Sequence, residues 1–179
     1  MGKTNKIYQP GTMALIALLV AIIFNPFVII NAGERGVLMQ FGKVEKQVLD
    51  EGLHTVIPYI NTVKTLSVRI QKQEISAEAS SKDLQEVFAD VAFNWHIPPA
   101  EVNTIFQKIG NENDVVERII NPAVEEMLKA VMAKYTAEEL ITKRGEVKAE
   151  VDTVLSERLK SYYIQVDDIS LVHVRNVEC

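Results

Sequence analysis

The sequence predicts an α+β domain behind an N-terminal transmembrane helix, and three observations predict it. An almost wholly apolar stretch runs from Met13 to Ile30. Alternation of apolar and polar residues with period two then dominates residues 34–97, as half-buried strands require. Beyond Pro98-Pro99 the period becomes that of amphipathic helices, before strand character returns from Ile164 to Val177. Antiparallel strands, then helices, then a closing strand argue for segregated α+β architecture rather than alternating βαβ units. The 179 residues suffice for one ordinary domain, so the expected division is residues 1–30 as tail and anchor and residues 31–179 as the domain.

The apolar stretch is Met13–Phe24 without a polar group, then Asn25-Pro26, then Phe27–Ile30. As a helix, Met13–Ile30 would reach roughly 27 Å, just enough for a hydrocarbon core of about 30 Å. A retained single-pass anchor is the leading reading. A cleaved signal peptide is the second, weakened by Ile30 two places before Ala32, and a re-entrant segment breaking at Pro26 is the third. Lys3 and Lys6 precede the span while Arg35, Lys43 and Lys46 follow it, a near tie under the positive-inside rule. The reading leans towards the bulk of the chain on the non-cytoplasmic side of a bacterial plasma membrane or an organelle inner membrane.

Gly36–Phe41 and Val44–Leu49 are short strands around a Phe41-Gly42-Lys43 turn. Asp50-Glu51-Gly52 is a second turn, and Ile57-Pro58 an extended connection. Val63–Ile75 reads as one long strand. Val87, Ala89, Val91, Phe93, Trp95 and Ile97 then share one face of another, opposite Glu86, Asp90, Asn94 and His96. Ala100–Ile109 fits a helix ended by Gly110. Asp114 and Glu117 suggest a capping box for the next, with Asn121-Pro122 restarting it and Val116, Ile120, Ala123, Met127 and Val131 as its stripe. Thr136 and Glu139 form a second capping box, opening a charged helix to about Tyr162 with Leu140, Val147, Val151, Val154, Leu155 and Leu159 as its apolar row.

No constellation with catalytic or metal-ligating spacing emerges. The chain carries a net charge of −5, and every acidic residue follows the apolar stretch, which argues against nucleic acid as a partner. Cys179, the only cysteine, permits neither an internal disulfide nor a cysteine zinc site. His54, His96 and His173 lie on separate segments. Glu125-Glu126 and Glu138-Glu139 sit on helices where solvation or capping accounts for them, and Lys143, Arg144 and Lys148 are interleaved with acids. No Gly-x-Ser-x-Gly elbow or phosphate loop is present. The expectation is a non-enzymatic protein with no catalytic residue, no metal site and no cofactor.

Several blocks resemble one family. Glu34-Arg-Gly-Val37, Phe41-Gly42 and Gly52-Leu-His-x-x-Ile-Pro58 are similar to the opening of the SPFH/Band 7 domain of stomatins, prohibitins, flotillins and the HflK/C proteins. Val68-Arg69-x-Gln71 and Ser81-Lys-Asp-Leu-Gln85-x-Val87 resemble its next block. Asn121-Pro-Ala-Val-x-Glu126, Leu128-Lys-Ala-Val131, Tyr135-Thr-Ala-Glu-Glu-Leu-Ile141-x-x-Arg144 and Asp167-Asp-Ile-Ser170 resemble the prohibitin branch. The resemblance implies a membrane-anchored scaffold that assembles into large homo- or hetero-oligomeric rings with related SPFH subunits and organises membrane lipids and proteins. The alternative it implies is an HflK/C-like restraint on an FtsH-type AAA protease. The family continues from its last strand into a long coiled coil; the expectation is that this coil is absent from the chain ending at Cys179, and that the domain alone associates weakly.

Overall fold

The computed structural model describes residues 26–176. The expected membrane helix lies outside them up to Asn25, and its last four residues, Phe27–Ile30, are not helical. Phe27–Ile30 form strand β1, paired antiparallel with β4 (Gly52–Thr55), Phe27 opposite Thr55 and Ile29 opposite Leu53. Alternation separates their side chains: Ile30 is buried, while Phe27 and Ile29 face outwards. Among the described residues, no helix is long and apolar enough to cross a membrane.

A second sheet has the order β3-β2-β5, from β2 (Glu34–Gln40), β3 (Lys43–Leu49) and β5 (Asn61–Ser67). The turn between β2 and β3 has both central residues left-handed, Phe41 at φ 50° and Gly42 at φ 81°, the geometry that matches strand twist in two-residue hairpins. Gly36 on β2 stands where an added Cβ would strike the Ile30 side chain, so its lack of one lets β1 close on the sheet. The long strand expected over Val63–Ile75 is two strands. Val68 N–H donates to Gly33 O and the Arg69 guanidinium to Ala32 O, which turns the chain out of one sheet and into the next.

That third sheet has the order β6-β7-β8, from β6 (Gln71–Ser80), β7 (Glu86–His96) and β8 (Gln165–Asn176). Val87, Ala89, Val91, Phe93 and Trp95 are buried, as their alternation predicts. A 3-10 turn (Pro99–Glu101) leads into α1 (Val102–Lys108), which packs on β2 and β3. Asn103 on α1 donates to the carbonyls of Glu45 and Lys46 at 2.9 and 3.1 Å, tying it to β3.

α2 (Glu112–Val115) is capped by Asn111, which accepts from Asp114 N–H while Asp114 accepts from Asn111 N–H. Asp114 is therefore the third residue of a box opened by Asn111, not the opener of one closed by Glu117. Nor does Asn121 act as a cap. Val116–Ile120 form a π turn running into α3 (Asn121–Met132), with Asn121 N–H bonded to Val116 O. Pro122 cannot donate to the carbonyl of Arg118, and the widened turn accommodates that loss. The charged helix divides too, into α4 (Ala137–Thr142) and α5 (Arg144–Lys160). Thr136 does cap α4, accepting from Glu139 N–H at 3.2 Å. Thr142 bonds back to Glu138 O and Gly145 follows, two weak helix formers flanking the break at Lys143.

α3 packs on β6 and on α5, and α5 on β8. Ile120, Val124, Leu128, Leu140, Val147, Val151, Leu155 and Leu159 are almost fully enclosed there, with Trp95 and Phe93 beneath them. Burying each such side chain contributes about 1.5–3 kcal/mol before conformational entropy is subtracted.

Candidate membrane-facing surface

The strands before Val68 carry large apolar side chains that the core does not use. Phe27 is 56% exposed, Ile29 70%, Leu53 66%, Ile57 56%, Phe41 79% and Tyr59 80%. Their placement follows from strand register. On the β1–β4 ribbon, Phe27 and Ile29 share the outward face with Leu53 and Thr55, while Val28, Ile30 and His54 turn inwards. Val56 N–H donates to Pro26 O at 2.7 Å, extending the pairing and bringing Ile57 beside Phe27. Asn61 N–H donates to Ile57 O and Phe41 N–H to Ile60 O, both at 2.9 Å, so the 57–60 loop and the β2–β3 turn meet at one end. The chain enters the described structure at that same end, through Pro26.

Two of these residues are held in a conformation that large side chains rarely adopt. Phe41 has φ 50° and Tyr59 φ 66°. Left-handed backbone crowds the Cβ, and such strain collects where function keeps it. Scattered exposed apolar residues are ordinary, but a contiguous row marks a partner or a membrane. Chemically, this end can enter an apolar or interfacial phase.

Several of the singled-out polar residues have partners elsewhere in the structure. His54 Nε2 lies 2.7 Å from Asp50 O, and His96 Nδ1 2.7 Å from Asp167 Oδ2 across the β7–β8 bulge. Glu126 pairs with Arg158 at 3.3 Å, and Glu139 with Lys143 at 2.9 Å. His173 stands on β8 opposite Asp90. Glu139 is held below its ordinary range first by the Lys143 ammonium and then by Thr136 N–H; Glu150 is lowered by Lys134 and by the Tyr135 hydroxyl, which is itself raised. Arg158 and Glu150 thus tie α5 to α3 and to the segment at Lys134 and Tyr135, while the Glu139–Lys143 pair closes the end of α4. Among the described residues, no group of three His, Cys, Asp or Glu side chains could hold a metal ion. Sequence reasoning missed the apolar end, because Phe27–Ile30 reads as part of the preceding apolar run. An aromatic residue inside a Phe41-Gly42 turn was the one local signal.

Residues 28–176 match the family described as SPFH domain / Band 7. The chain is 34% identical over 146 residues to prohibitin-4, mitochondrial, of Arabidopsis thaliana, covering 81% of this chain and 52% of that protein. It is 31% identical over 171 residues to prohibitin 1 of Drosophila melanogaster, covering 95% and 60%. With the mitochondrial prohibitin complex protein 1 of Caenorhabditis elegans it shares 30% over 146 residues, 81% of this chain and 52% of that one. The chain thus spans little more than half the length of these curated relatives.

Proposed function

The chain belongs to the SPFH domain / Band 7 family, with prohibitins among its relatives, and from that premise we propose that it is a membrane-anchored, non-catalytic scaffold subunit. Copies of it, or it and related subunits, assemble into large rings that corral membrane lipids and proteins. The observation that carries the reading is the apolar end built from Phe27, Phe41, Ile57 and Tyr59, located where the chain arrives from the apolar run Met13–Phe24. A single-pass segment followed directly by an apolar footing would set the domain down on the bilayer. The relatives named as mitochondrial favour an organelle inner membrane. The strong core and the surface-paired histidines and carboxylates support a structural role over a chemical one.

Particle imaging of the native assembly extracted in mild detergent tests this. Large closed particles of uniform size are expected. Monomers or small irregular clusters, from membranes where the protein is at its natural level, would overturn it.

A further inference from the structure

The scaffold reading just given requires contacts between copies, and the inference here rests on it: we propose that the loop tip at Leu84 of one copy docks, head to tail, into the pocket beside Tyr163 of the next. The backbone singles out both residues. Among the described residues, the non-glycine positions with left-handed φ are Phe41, Tyr59, Leu84 and Tyr163. The first two belong to the apolar end. The other two lie at opposite ends of the β6-β7-β8 sheet.

Lys82, Asp83 and Leu84 form a three-residue hairpin loop, closed by Ser81 N–H to Gln85 O at 2.9 Å and Leu84 N–H to Ser81 O at 3.0 Å. Its last position is where hairpins of this length place glycine or asparagine. Here a leucine occupies it at φ 62°, 87% exposed, so the strained side chain gains no burial within its own chain. The loop is nonetheless fixed. Ser81 is buried, donates to Asp83 at 2.7 Å and accepts from Gln85 N–H at 3.0 Å. Asp83 accepts from Ala137 N–H at 3.1 Å, and Lys82 N–H donates to Tyr135 O at 2.8 Å. A rigid apolar tip binds without the ordering cost of a mobile one.

At the other end of the sheet, where α5 turns into β8, lies an open pocket of about 530 Å³ walled by Pro98, Ser156, Tyr163 and Val166. Lys108 steadies Tyr163, its Nζ 3.2 Å from the hydroxyl and 4.8 Å from the ring centre. Charge matches across the two surfaces. Lys82 and Glu86 flank the tip, while Glu101 and Lys160 rim the pocket, so one orientation sets each against its opposite. β7 spans eleven residues, which at strand rise separates tip and pocket by roughly 35 Å. No chain can fill its own pocket, so the contact lies between copies. Joined head to tail it is heterologous and repeats from copy to copy, closing a ring where the rotation permits.

Cross-linking the full chain in reconstituted bilayers tests this, with Cys179→Ser removing the native thiol. A double variant carrying Leu84→Cys and Gln165→Cys, treated with a short bis-maleimide, should give a ladder of oligomers; each single variant should give none. Adding Ser156→Trp, which fills the pocket, should abolish the ladder. Lys82→Glu should weaken it and Glu101→Lys in the same chain restore it. Leu84→Gly relieves the backbone strain, so it should melt no lower than wild type and yet lose the association. If the double variant gives no ladder while an amine-reactive cross-linker still captures oligomers, the contact is wrong and the scaffold reading stands. Dimers from Leu84→Cys alone would refute the head-to-tail arrangement, and monomers with both reagents would refute both readings.

Discussion

The strands before Val68 and the sheet-and-helix unit after it differ in how many of their large apolar side chains they bury. After Val68, the alternating face of β7 and the stripes of α3 and α5 close on one another, leaving Trp95, Val124, Leu128, Val147, Leu155 and Leu159 with essentially no exposure. Before it, the buried large apolar side chains among the described residues are Ile30, Val37, Leu49 and Leu66, while residues as large as Phe41 and Tyr59 stand in the open at left-handed φ. The later region is a core in the ordinary sense. The earlier one borrows its stability from strand pairing and from α1, and its apolar surface is directed outwards. Apolar content alone therefore does not report where stability comes from; register and backbone conformation decide which residues fold the chain and which meet its surroundings.

The largest effect belongs to the later region. Trp95→Ala should cost about 3–5 kcal/mol, measured by denaturant melts of the detergent-solubilised chain. A loss below about 1 kcal/mol would mean that the helices do not pack on β7 as described. Thr136→Ala removes the acceptor for Glu139 N–H and should cost about 1 kcal/mol, lowering Tm by roughly 2–4 °C. An unchanged Tm would place the start of α4 elsewhere.

Acid should loosen the same junction. Asp83 is held low first by the Ser81 hydroxyl, Glu139 by Lys143 and Glu150 by Lys134. Each folded carboxylate is thus more acidic than in the unfolded chain. Their contribution is complete above the ordinary carboxylate range and is lost as pH falls through it and below. Tm should decline below about pH 4.5, and Glu139→Gln should flatten that decline. An equal slope in the variant would remove Glu139 from the account. The smallest stability effect belongs to the earlier region: Ile29→Ser with Leu53→Ser should change stability by no more than about 1 kcal/mol, since the pair is exposed and cross-strand. A loss as large as that of Trp95→Ala would show that the row is core after all.

How far the sequence disclosed this contrast depended on whether a signal was local. The alternation of Val87–Ile97, the Leu140–Leu159 stripe and the Thr136 box each depend on neighbours within a turn or a strand, and the structure has them in those roles. β1 was illegible because Phe27–Ile30 joins a longer apolar run, and because its partner, Gly52–Thr55, lies in the short stretch between the Asp50-Glu51-Gly52 turn and the Ile57-Pro58 connection. The split between β5 and β6 carries no glycine or proline; it is made by Arg69 reaching Ala32, a contact distant in sequence. Asn111 and Asp114 stand three apart, each a competent cap, and choosing between them needs the fold. The apolar end was hidden for a related reason: hydropathy predicts burial, and Phe41 and Tyr59 are exposed through backbone conformation, which composition does not encode.

The central claim is that the end bearing Phe41 faces the bilayer and the other end of the same sheet does not. Phe41 at 79% exposure and Ile70 at 64% are both apolar, and β5 separates their ends by roughly 20 Å. Native Trp95 is wholly buried. The full chain with Phe41→Trp, and separately with Ile70→Trp, can be reconstituted in vesicles containing bromine-labelled lipid and its fluorescence quenching compared. Strong quenching of the indole introduced at position 41, with little at position 70, is the predicted result. Equal quenching, or the reverse order, would contradict it.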